Sequence, residues 1–239
     1  MAEARTLSWC CIMGDKHVAL LPRMLAALID RPGGPAADEV IVGFNGTDAA
    51  ALSDVLVGLE APMPDSLLSP DAPTFTFTYH GVPIKIIRQK WTRNFARARQ
   101  ESFEAATGIW RGYIDLDDEL VKPGDPLLVD AIPPTGPANE TPLPAPAPVR
   151  LQDWLAGRRQ NVNVILAPYY FALSPKRQPI TVTRRPRIVR WDPGWAWVGE
   201  VHEELRHVLG REVAVWNGGL LLAHSPVLTQ EERASRNFE

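Results

Sequence analysis

Apolar residues along the chain fall in short compact runs that alternate with stretches of helical spacing. Residues 7–13 form the first run, and from 16 to 30 apolar side chains recur at Val18, Leu21, Leu25, Leu28 and Ile29, the spacing of a helix that buries one face. Pro32-Gly33-Gly34 stops it. A second run over 40–44 leads into the turn-forming Asn45-Gly46-Thr47-Asp48, and an alanine- and leucine-rich helix continues to about Glu60. Strand patterns return at 75–79 and 84–88, a helix is predicted over 92–106, and Gly108 ends it before a strand at 110–114. Such strand–helix repetition predicts an α/β fold with a largely parallel, doubly wound sheet, whose ligands bind beyond the carboxyl ends of its strands.

Residues 123–148 break the pattern. Nine of them are proline, which excludes a packed helix or strand and leaves a long surface loop, either a linker or a lid beside a site. Farther on, 162–172, 180–184, 187–191 and 213–223 read as strands, interrupted by an aromatic segment containing Trp191, Trp195 and Trp197. Those rings either stack on a ligand or pack around the turn at Pro193-Gly194.

Composition narrows the function classes. At 239 residues, 45% hydrophobic and 22% charged, the chain is of ordinary globular make-up and fits one domain. A net charge of −3 gives no electrostatic reason for a polyanionic partner. The only two cysteines, Cys10 and Cys11, are adjacent within an apolar run and read as reduced core thiols. The first residues lack a basic start followed by an apolar stretch, and no run approaches membrane-spanning length. A cytoplasmic protein without membrane insertion is the expectation.

The chemistry concentrates at Asp115-Leu116-Asp117-Asp118-Glu119, where four of five residues are acidic and follow directly on an apolar strand. That much negative charge at a sheet edge suits a hard cation, which takes one or two carboxylates and completes its shell with water and phosphate oxygens. A bare D-x-D is short and common, and taken alone it reads first as a solvated acidic turn opening a surface loop. Spacing excludes three other schemes. An EF-hand loop needs glycine where Leu120 stands. The D-x-D-x-T/V nucleophile pattern has Glu119 in its last place. His207 follows His202-Glu203 one position too late for a zinc-protease helix.

Residues 91–100 (Trp-Thr-Arg-Asn-Phe-Ala-Arg-Ala-Arg-Gln) are the first of several segments that, in order, resemble family 2 glycosyltransferases, here that family's N-F-A-x-A-R-N helix. Ala106-Thr107-Gly108-Ile109-Trp110 and the acidic turn follow, similar to A-x-G-D-W and L-D-A-D-E. Val201-His202-Glu203 after Gly199 resembles a later G-x-V-H-E element. Ala223-His224, with Glu231-Glu232-Arg233 and Arg236-Asn237, resembles a closing H-x-G and E-x-R-N segment.

The resemblance implies a GT-A-like, Rossmann-type mixed and mainly parallel sheet flanked by helices. It implies a donor-binding half over 1–122, the proline-rich loop, and an acceptor-side half over 149–239. The donor would be a nucleotide-diphosphate sugar such as a UDP-sugar, transferred with inversion in the presence of Mn2+ or Mg2+. Asp115 would sit near the donor's ribose, Asp117 and Asp118 would hold the ion, and His224 would complete the metal site. Glu203, with Glu204 next, would be the base, and Arg99 would contact the diphosphate or order the site. Each has a plainer reading: His224 as a structural histidine, Glu203 as a helix cap, Arg99 as a surface ion pair.

Two departures stand out. The family's V-D-x-G-S-T-D is here Gly43-Phe44-Asn45-Gly46-Thr47-Asp48, without its first aspartate, and its K-N-E is Gly14-Asp15-Lys16. Phe44, Asn45 and Asp15 are then the candidates for the nucleotide. A catalytically degenerate donor-binding module and a nucleotidyltransferase are the alternatives, the latter lacking a glycine-rich basic loop after the first strand. The acceptor is open among protein, peptide, glycan, lipid and modified DNA base.

Overall fold

The chain is described by a computed structural model at residues 5–61, 74–121, 150–157, 162–173, 179–210, 214–216 and 222–224. Its central strand β1 (Leu7–Met13) is buried on both faces: Leu7, Trp9, Cys11 and Met13 enter one core and Cys10 a second. Successive side chains of a strand point to opposite faces, so an unbroken apolar run requires a layer on each side. A 3₁₀ turn (Asp15–Leu20) leads into α1 (Leu21–Ile29). The single helix expected over 16–30 is therefore two pieces. Pro22 marks the division, because its missing N–H is harmless only in a first turn.

Strand β2 (Glu39–Phe44) runs parallel to β1 and is buried throughout. The Asp48 side chain accepts from the Ala51 amide at 2.9 Å and caps α2 (Ala49–Gly58). Strands β3 (Thr74–Tyr79) and β4 (Val82–Arg88) form an antiparallel hairpin. Its turn residues His80 and Gly81 have φ of 44° and 86°, as a two-residue loop matched to strand twist requires. Asn94 caps α3 (Phe95–Ala105) by accepting from the Arg97 amide at 2.8 Å, which starts this helix three residues later than the pattern suggested. β5 (Trp110–Tyr113) lies parallel to β1.

The remaining elements are β6 (Asp118–Leu120), α4 (Leu151–Ala156), β7 (Val164–Leu173), β8 (Pro179–Arg190), β9 (Trp195–Val198), β10 (Glu204–His207), β11 (Ala214–Trp216) and β12 (Leu222–His224). The main sheet has the order β3-β4-β2-β1-β5-β8-β7-β12-β6, with β11 also on β7, and β9 pairs with β10 separately. The fold is α/β, as expected, with a mixed sheet flanked by helices. Neighbours from β4 to β5 are parallel, whereas β5–β8, β7–β8 and β6–β12 are antiparallel.

The second half departs most from the sequence reading. The two strands expected at 180–184 and 187–191 are one, β8. Pro186, the apparent break, sits opposite Leu166 beside a register shift in the β7–β8 ladder, where an absent N–H is tolerated. Within the run 213–223, the described residues form β11 and β12, both against β7. Glu203 caps no helix, because strand β10 follows it. The proline-rich 123–148 and the segment from Glu231 to Asn237 lie outside the described residues. Among the described residues, no helix is long and apolar enough to cross a membrane.

Candidate functional site

The carboxyl ends of β1, β2 and β5 open into a cleft of about 1250 Å³. Ile12 lines it from β1 and Gly14 from just beyond, Asn45 from just after β2, Tyr113, Asp115 and Asp117 from β5 and its turn, and Glu203 and His224 from the second half.

On one side, strands β6 and β12 pair antiparallel with His224 directly opposite Asp118, so the two side chains share a face of the sheet. His224 Nδ1 lies 3.4 Å from Asp118 Oδ1 and 3.8 Å from Asp117 Oδ2. Ligand-capable atoms of the three residues fall within 4.8 Å of one another. Tyr169 donates its hydroxyl to Asp118 Oδ1 at 2.8 Å, and Arg187 Nη1 is 3.4 Å from Asp118 Oδ2. Burial pushes the Asp117 carboxyl above the usual range, and the neighbouring Asp118 and Asp115 charges add to it against the opposing pull of His224.

Arg99 governs the other side. From the buried face of α3 it donates through Nε to Glu203 at 2.6 Å and through Nη2 to Asp115 at 2.5 Å. Its guanidinium is buried and lies 5.2 Å from the ring centroids of both Tyr113 and Trp197. Burial opposes its charge, but the Asp115 and Glu203 carboxylates outweigh that and raise its pKa. Asp115 is pushed up by burial and pulled down further by Arg99 and Arg187, and it ends below the ordinary carboxylate range.

Arg187, which the sequence did not single out, packs 4.5 Å from the Tyr113 ring and 4.2 Å from that of Tyr169. A ladder of alternating rings and cations thus crosses the cleft floor: Trp197, Arg99, Tyr113, Arg187, Tyr169. Cation–π contacts strengthen when desolvated. Nothing in the linear pattern of β8 marks Arg187, because its partners belong to β5, β6 and β7.

The other candidates separate. Asn45 lines the cleft and donates to Gln89 Oε1 at 3.3 Å. Phe44 is buried in the core and does not line it. Asp15 accepts from the amides of Thr47 and Asp48 at 3.0 and 2.9 Å and also lies off the cleft. Its neighbour Gly46 is obligatory, since a Cβ there would run into Asp15 and Phe44. Glu204 lines the cleft and is ion-paired to Arg206. Trp195 and Trp197 pack in the second core, and Trp197 also lines the cleft.

No protein-family model matches the chain, and no curated protein matches it. Among solved structures it is similar to TarS of S. aureus, with a TM-score of 0.38 and 15% identity over 71% of this chain and 22% of that one. The match spans about a fifth of the TarS chain.

Proposed function

We propose that this chain is a metal-dependent, inverting glycosyltransferase that moves a sugar from a nucleotide-diphosphate donor, a UDP-sugar, to an acceptor. The observation that carries this reading is the meeting in one cleft of Asp117 and His224, backed by the buried Asp118, with the Arg99-held Glu203.

The donor set fits a cation. The ion-paired network contains four carboxylates (Asp115, Asp117, Asp118, Glu203) and two guanidinium groups (Arg99, Arg187), an excess of two negative charges. A divalent ion offsets that charge. Carboxylate oxygens suit Mn2+ and Mg2+ alike, and the imidazole of His224 favours Mn2+, since Mg2+ is held by oxygen. When bound, the ion supplies neutralisation of the departing diphosphate.

The chain's own groups do the rest. Arg99 fixes one oxygen of Glu203, which orients the carboxylate to accept the acceptor's proton as the acceptor oxygen or other nucleophile attacks the anomeric carbon. Attack opposite the leaving diphosphate inverts that carbon. Asn45 lines the donor side. A second reading, donor binding without transfer, is favoured by the burial of Phe44 and the engagement of Asp15 away from the cleft.

Calorimetric titration of UDP-glucose with and without Mn2+, against wild type and Asp117→Ala, tests the proposal. Metal-dependent binding that disappears in the variant is the expected result. Wild-type protein that binds no nucleotide sugar overturns it, and binding with neither donor hydrolysis nor transfer in an acceptor screen favours the second reading.

A further inference from the structure

We propose that Asp118 is not a ligand of the metal but the buried carboxylate behind it, which fixes the imidazole of His224 and is itself fixed by Tyr169 and Arg187. The assignment rests on the metal-dependent reading above and divides the acidic turn into a residue that binds and a residue that positions.

Access separates the two aspartates. Asp117 and His224 line the cleft, as Asp115 does, whereas Asp118 does not. The Asp118 side chain has 0% of its surface exposed, against 32% for Asp117 and 18% for His224. A cation arriving through the cleft with its water and phosphate oxygens meets Asp117 and His224 first.

The oxygens of Asp118 are also committed. Oδ1 accepts the Tyr169 hydroxyl at 2.8 Å and faces His224 Nδ1 at 3.4 Å. Oδ2 accepts from the Asp115 amide at 3.4 Å and faces Arg187 Nη1 at 3.4 Å. A carboxylate offers about four lone-pair directions, and each oxygen here already has two protein partners. Binding the ion directly would strip Asp118 from Tyr169 or from Arg187. The second loss is the heavier, because Arg187 is 2% exposed and its Nε and Nη1 have no hydrogen-bond partner among the described residues. Asp118 is the nearby charge that compensates it.

The same contacts suit His224 as a ligand. An imidazole that gives its Nδ1 proton to a carboxylate presents Nε2 as a neutral, electron-rich donor, and metal-bound histidines ordinarily have such a partner. The β6–β12 register, with His224 opposite Asp118, sets that pairing in the backbone.

The test is Mn2+ binding by the full chain, followed by calorimetry, with Co2+ absorption spectra as a report on the ligand set. Asp117→Asn should abolish Mn2+ binding. Asp118→Asn and Tyr169→Phe should retain one ion per chain, bound about 10–100-fold more weakly, with the wild-type Co2+ bands. Asp118→Asn that remains folded and loses Mn2+ as completely as Asp117→Asn, or that changes the Co2+ bands, overturns the assignment. Should Asp118→Asn fail to fold, Tyr169→Phe decides, since it removes one hydroxyl behind Asp118 and no ligand atom: unchanged Mn2+ affinity overturns the proposal. Wild-type protein that binds no Mn2+ overturns the metal-dependent reading and this assignment with it.

Discussion

Arg99 reaches Glu203 across 104 positions of chain and holds its Oε1 at 2.6 Å. That bond ties α3 to the segment between β9 and β10, which the Phe95 amide also grips through the Glu200 carbonyl at 3.1 Å. Because the guanidinium simultaneously holds Asp115, a single side chain sets the positions of carboxylates from both halves of the chain.

Replacing Arg99 by Met should therefore destabilise the fold. The aliphatic stem would be kept, but two carboxylates would face each other without their shared cation, and breaking such a buried pair costs about 3 kcal/mol. Urea unfolding should show a lower midpoint. Arg99→Lys should recover only part of the loss, since one ammonium cannot reproduce the two-pronged geometry between the Tyr113 and Trp197 rings. A midpoint unchanged in Arg99→Met would show that the bridge contributes nothing to folding.

How far the sequence could be read differs between the two halves for a physical reason. In β1 and β2 each residue's burial follows from its own character, so apolar runs announce buried strands. The acidic turn was legible in the same way, as a local excess of charge. Arg187 and Pro186 belong to a strand whose burial is set by its neighbours: the arginine is accommodated by Tyr113, Tyr169 and Asp118, the proline by a register shift. Likewise, the placement of His224 against Asp118 is a property of strand register, which no linear spacing encodes. Phe44 shows the converse error. The sequence offers it as a nucleotide contact, but strand alternation turns it into the core while Asn45 lines the cleft.

Arg31 offers a second test of stability. From just after α1 it donates through Nη1 to the carbonyls of Ala27 and Leu120 at 3.0 and 2.7 Å, and through Nη2 to that of Val121 at 2.8 Å. Burial lowers its pKa to about 10, still charged at neutral pH. Arg31→Met would leave these carbonyls without a charged donor and should cost about 2 kcal/mol. Since β6 begins at Asp118 and ends at Leu120, Mn2+ affinity measured by calorimetry should fall as well.

Asp15 makes a pH-dependent contribution whose sign follows from its contacts. The amides of Thr47 and Asp48 bond its ionised form and lower its pKa below 3.8. For a carboxyl with a depressed folded-state pKa, the stabilisation is present above the unfolded value and disappears as pH falls through the folded one. The stability difference between wild type and Asp15→Asn should thus be constant from neutral pH down to about 4 and shrink in stronger acid. Thermal unfolding of both proteins across that range would detect it, and a difference that grew on acidification would contradict the assignment.

Glu203 and Glu204 are neighbours with opposite surroundings, and this separates their expected roles. Glu203 is mostly buried, lines the cleft and is oriented by Arg99; Glu204 is largely exposed and ion-paired to Arg206, two residues along β10. A base must hold one geometry relative to the proton it removes, and only the first environment enforces one. In donor turnover assays with a competent acceptor, Glu203→Gln should lower kcat by about 10²–10⁴-fold with metal-dependent donor binding intact. Glu204→Gln should change kcat by less than about tenfold, a difference of roughly 1.4 kcal/mol in barrier. Donor binding is the control that distinguishes lost proton transfer from a cleft that no longer forms. The reverse order of effects would move the base to Glu204 and leave Glu203 as the partner that holds Arg99 in place.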